Sequence, residues 1–72
     1  LAVFDQDADN VIAIDEALER LERESPLHAE VVKLRYFAGL SREEIAAVMR
    51  ISVFTVDKYW RLARNWLHRE LS

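Results

Sequence analysis

Leu40-Ser41-Arg42-Glu43-Glu44-Ile45-Ala46-Ala47-Val48-Met49-Arg50-Ile51-Ser52-Val53-Phe54-Thr55-Val56, residues 40–56, holds two helix starts eleven residues apart. Ser41 followed three residues later by Glu44 is a capping box. The hydroxyl accepts from the Glu44 N–H, and the carboxylate reaches back to the Ser41 N–H. Leu40 before the cap and Ile45 after it stand where a hydrophobic staple belongs, and Ile51 and Val56 repeat that placement around Ser52. Caps this close leave room for a helix of two turns and a tight turn before the next helix begins. A short capped helix followed by a longer one is a helix-turn-helix if the crossing is small and apolar. Ala46 supplies the small residue, and Ile45, Met49, Ile51 and Val56 supply the apolar contacts.

Working outward, the last helix is predicted to run from 53 to 71, with Val56, Trp60, Ala63 and Leu67 on its buried stripe. The helix before it spans 42–49. Upstream, Ser25-Pro26 offers an N-cap and a proline at the first helical position, where its missing N–H costs nothing. The helix that follows runs over 26–38, with Leu27, Val31, Leu34 and Ala38 on one face and Val32 beside them. Gly39 closes it in a left-handed conformation. Ile14, Leu18 and Leu21 mark a first helix over 10–23 that starts near Asp9 or Asn10. Residues 1–9 show no sustained period and read as a linker remnant, leaving 10–72 as one domain. The fold class is therefore all-α, a four-helix domain containing a helix-turn-helix. Leu18, Leu21, Val31, Leu34, Ile45, Val56, Trp60 and Ala63 are its expected core.

Composition agrees and narrows the function. The 72 residues allow a single small core, and 51% hydrophobic residues argue against disorder despite 32% charged ones. One Gly and one Pro leave few chain reversals for a sheet. With no cysteine there is no disulfide framework or thiolate metal site, which fits a cytoplasmic protein. No apolar run is long enough to span a bilayer, and no basic-then-apolar leader is present, so no membrane partner is expected. A start at Leu1 rather than Met suggests a piece of a longer chain. Net charge is −3, but it is divided unevenly. Residues 1–32 carry two bases against nine acids, and residues 33–72 carry eight bases against four acids. A basic half beside an acidic half hints at nucleic acid at the basic end.

The stretch from Ile14 to Leu71 resembles region four of the extracytoplasmic-function (ECF) sigma factors, the subunits that direct bacterial RNA polymerase to promoters. The likeness is carried by Leu18-Glu19-Arg20-Leu21, the run Val31 to Ser41, Glu43-Glu44-Ile45-Ala46, Ile51-Ser52 and Thr55-Val56. It continues through Trp60-Arg61-Leu62-Ala63-Arg64, Trp66-Leu67 and Arg69-Glu70-Leu71. The resemblance implies a four-helix domain whose last helix enters the major groove of the promoter's −35 element. It also implies docking on the flap of the polymerase β subunit, and it leaves room for an anti-sigma factor.

A 100° step per residue on the last helix places Phe54, Lys58, Arg61 and Asn65 opposite the buried stripe, with Thr55, Asp57 and Arg64 flanking them. Helices of this kind read bases near their N-terminus, which makes Phe54, Thr55, Asp57 and Lys58 the candidates for base contact. Lys58 suits a guanine, Phe54 a thymine methyl and Asp57 a cytosine amino group. Arg61, Arg64 and Arg42 suit phosphates, as do the cap Ser52 and the N–H groups around it. Trp60 and Trp66 read as packing residues. His28 and His68 lie far apart with no other ligand-type pairing, and no nucleophile–base pair or phosphate loop is present. Catalysis, a metal and a cofactor are therefore not expected.

Two positions depart from the family pattern. Where relatives usually carry Gly in the turn stands Arg50, which implies about 1 kcal/mol of strain or a turn of different shape. Where relatives are usually basic stands Asp57, which as an unpaired acid is expected to weaken general DNA affinity. The competing reading is a helix-turn-helix-derived protein-interaction module that has lost DNA contact, binding polymerase or an anti-sigma factor. A third, the output domain of a two-component-type regulator, shares the fold.

Overall fold

The computed structural model describes the backbone of residues 8–71 and the side chains of residues 13–71. Four helices and no strand are present among the described residues: α1 (Ala8–Glu24), α2 (Pro26–Val32), α3 (Arg42–Met49) and α4 (Val53–Leu71). A π-helical turn, Lys33–Phe37, extends α2. Of the linker expected over 1–9, residues 1–7 lie outside the described residues, and Ala8 and Asp9 stand in the first turn of α1.

The helices pack around two apolar clusters. In the first, Ile14, Ala17, Leu18 and Leu21 of α1 meet Ala29 and Val32 of α2 and Ala63 and Leu67 of α4. In the second, Val31 of α2 meets Ile45 and Ala46 of α3 and Val56 of α4. Small residues at Ala17, Ala29 and Ala63, all fully buried, let three helices approach closely. The residues of both expected staples meet at the second cluster: Ile45 and Val56 are members of it, and Leu40 and Ile51 pack against it. An Arg20–Glu70 ion pair at 3.0 Å joins the exposed sides of α1 and α4, and a Lys33–Glu22 pair joins the π-helical turn to α1. Both pairs are solvent-exposed and contribute little.

Helix α2 departs most from its sequence reading. Because it serves both clusters, its buried arc is set by Ala29, Val31 and Val32. Leu27, expected on the apolar face, lies at the rim of that arc in the first turn and is 55% exposed. Beyond Val32 the helix widens, and the Ala38 N–H reaches back to the Lys33 carbonyl at 3.1 Å. The wider turn rotates the following residues off the α-helical stripe. Ala38 therefore faces solvent, and Leu34 is only half-buried, packed against the second cluster. Gly39 closes the turn at φ 73°, and the Leu40 N–H bonds to the Leu34 carbonyl at 3.0 Å. A Cβ at Gly39 would meet nothing within 4 Å, so backbone conformation rather than space is what asks for glycine here.

Ser25 also departs from its expected role. It occupies the N-cap position, with Pro26 following, but its side chain makes no cap hydrogen bond. Its backbone (φ −148°, ψ 81°) lies away from the extended geometry that aims a hydroxyl at the helix end. Ser41, at φ −72° and ψ 164°, has that geometry and forms the complete capping box. Trp60, expected in the core, is half-buried and lies against both clusters. The Arg35 guanidinium sits 4.9 Å from its ring centroid, a cation–π contact.

Candidate nucleic-acid interface

The helix-turn-helix is built by local chemistry. Glu44 N–H donates to Ser41 Oγ at 3.1 Å, and Ser41 N–H donates to Glu44 Oε1 at 2.8 Å, which fixes the start of α3. Helix α3 ends at Arg50 in the left-handed conformation, φ 59° and ψ 44°. The Ile51 N–H then returns to the Ala46 carbonyl at 3.1 Å, closing the turn. The turn thus keeps the shape that glycine usually provides, with an arginine in it.

Ser52 caps α4: the Thr55 N–H donates to its Oγ at 3.0 Å. The two hydroxyls are also bonded to each other, at 2.9 Å. Thr55 is therefore half-buried and tied to the cap, and its N–H is already satisfied, which reduces the set of donors this helix end offers to an anion. The N–H groups of Val53 and Phe54 precede it in the same first turn.

Along α4 the exposed and buried faces fall where the 100° step places them. Val56, Ala63 and Leu67 are fully buried, while Phe54, Lys58, Arg61 and Asn65 are exposed. Thr55, Asp57 and Arg64, expected to flank that row, are half-buried. Phe54 is 78% exposed, more than any other large apolar side chain among the described residues. Lys58 and Arg61 make no hydrogen bond or ion pair among the described residues, so their charges are available to a ligand. The row combines one aromatic ring, two free cations and an amide on one helix face.

Asp57 differs from its sequence expectation. It is not an unpaired acid: Arg42 Nη2 donates to Asp57 Oδ2 at 2.7 Å. Arg42 opens α3 and Asp57 lies in the second turn of α4, so the pair spans the two helices of the motif. Their side chains remain 48% and 43% exposed. Bare repulsion of a backbone by Asp57 is no longer the right description, because its charge is offset locally. Sequence reading missed this contact. The available signal was an acid at a usually basic position together with an arginine at the start of the preceding helix.

His28 is half-buried with its ring 4.9 Å from that of Tyr59, a packing role. Among the described residues no group of three or more His, Cys, Asp or Glu is placed to hold a metal. No helix among them is long and apolar enough to cross a membrane. Away from the motif, Leu18, Phe37 and Lys33 line a depression of about 320 Å³ whose remaining walls are Asp15, Glu19 and Glu22. No residue of α3 or α4 lines it.

No curated protein and no solved structure matches the chain. A family model does, over residues 2–72, and its description is ECF sigma factor.

Proposed function

This chain belongs to the ECF sigma factor family, and from that premise we propose that α4 reads the −35 element of a promoter while the remainder of the domain docks on the β flap of RNA polymerase. The family supplies transcription-initiation factors rather than enzymes, with RNA polymerase and promoter DNA as partners. The finer reading is carried by one observation: the exposed row Phe54, Lys58, Arg61 and Asn65 on a helix presented by a capped turn. In this reading Phe54 and Lys58 meet base edges, with Thr55 and Asp57 beside them. Arg61, Arg64 and Arg42 hold phosphates, and the Ser52-capped helix start approaches another. The segment ahead of α1 serves as the linker, and the protein works in the bacterial cytoplasm. Support for a separate docking surface comes from Leu27, Phe37 and the depression beside α1, which share no residue with α4. An anti-sigma factor would compete for either surface.

Fluorescence anisotropy with duplexes selected from a random pool tests the reading. Lys58→Ala should change which sequences are preferred. Arg64→Ala should weaken all sequences alike and flatten the salt slope by about one unit. Equal, salt-independent binding by both variants would refute DNA reading and favour a protein-interaction module.

A further inference from the structure

The Arg42–Asp57 pair has a second role open to it, one that rests on α4 being the groove-entering helix. A guanidinium offers five N–H donors in a rigid fork. The bond to Asp57 Oδ2 engages Nη2, and other donors of the fork remain for a phosphate. Held this way, the Arg42 guanidinium is biased toward α4. Without Asp57 it would be a long, flexible side chain at an exposed helix start, able to reach any phosphate nearby.

We propose that Asp57 is a positioning residue that sets sequence discrimination: it fixes the Arg42 guanidinium so that Arg42 engages a phosphate in one register of the helix on DNA. The acid thereby lowers indiscriminate binding and sharpens the difference between a matching and a non-matching duplex, without itself touching a base. Two features favour this over a purely structural role. The pair is exposed on both sides, so it adds little to folding stability. It also joins the start of α3 to the helix whose row carries Lys58, next in sequence to Asp57.

The test compares the duplex best selected by the wild-type chain with a scrambled duplex, across a salt series. Asp57→Ala should bind the scrambled duplex more tightly, with a salt slope steeper by about one, because Arg42 is released to any phosphate. Affinity for the selected duplex should rise less or fall. The selected-to-scrambled ratio should then drop about two- to fivefold, the range an exposed pair carries. Asp57→Glu should restore the ratio in part. In an Arg42→Ala background, Asp57→Ala should change both duplexes by the same factor and leave the ratio alone. If Asp57→Ala moves both duplexes equally while Arg42 is present, the residue acts by charge alone and the proposal fails. A ratio that rises would also overturn it. Should wild type discriminate and respond to Lys58→Ala, such a failure would leave the promoter-reading assignment standing. Should wild type bind no duplex selectively, both would fall. Unchanged thermal unfolding of the variants excludes a folding explanation.

Discussion

Replacing Arg50 by glycine should make this domain more stable, although it deletes a whole side chain. Arg50 is exposed, has φ 59°, and makes no side-chain hydrogen bond or ion pair among the described residues. A side-chain-bearing L-residue in the left-handed region costs roughly 1–2 kcal/mol. Glycine removes that cost but loses more backbone freedom on folding, by about 0.5–1 kcal/mol. Mid-range against mid-range, the difference leaves a gain of about 0.7 kcal/mol. At roughly 2.1 cal/mol/K per residue, a chain of this length has an unfolding entropy near 150 cal/mol/K, so the melting temperature should rise by about 3–7 °C. Far-ultraviolet circular dichroism during heating measures this directly. Arg50→Ala keeps the strain and should melt within a degree or two of wild type. A lower melting temperature for Arg50→Gly would refute the reasoning, since it would show that the arginine side chain itself holds the turn.

Two further outcomes follow from capping and packing. Ser41→Ala breaks one arm of the capping box and frees the Glu44 N–H, so it should cost about 1 kcal/mol. Ser25→Ala, at a cap position whose hydroxyl bonds nothing across the helix end, should stay within about 0.5 kcal/mol in the same melting experiment. Ala63→Leu forces extra methylenes into the fully buried meeting point of α1, α2 and α4 and should destabilise by about 1–3 kcal/mol. A neutral Ala63→Leu would mean that the helices there can separate freely.

What the sequence disclosed depended on the range of the interaction. The boundaries of α3 and α4 were readable because Ser41, Glu44 and Ser52 act within four residues of themselves. The split of α4 into exposed and buried faces was readable because helical geometry fixes it. Arg50 announced a conflict between residue and turn, and the chain resolved it by bearing the left-handed conformation. The π-helical turn was hidden: no residue between Lys33 and Phe37 is a breaker, and the widening shows only once Ala38 faces solvent. Leu27 misled because α2 serves two clusters, so the arc it buries is not the stripe its leucines suggest. Ser25 misled because residue type does not set ψ. The Arg42–Asp57 contact joins positions fifteen residues apart and depends on how α3 crosses α4, which no local pattern records.

The division of the interior into two clusters affects how the molecule comes apart. Helix α3 contributes only to the smaller cluster, whereas α1 contributes only to the larger, and α4 threads both. Helix α2 also serves both, and among the described residues Trp60 is the side chain packed against both, so the two clusters are coupled through α2, α4 and Trp60 while α3 is held by the smaller one alone. The amides of α3 should therefore exchange with solvent through a shallow, sub-global opening, while those in the middle of α4 wait for complete unfolding. The softest helix would then be the one that opens with Arg42, the proposed phosphate contact. Its amide protection would rise when a duplex is bound, providing a local record of engagement that needs no label.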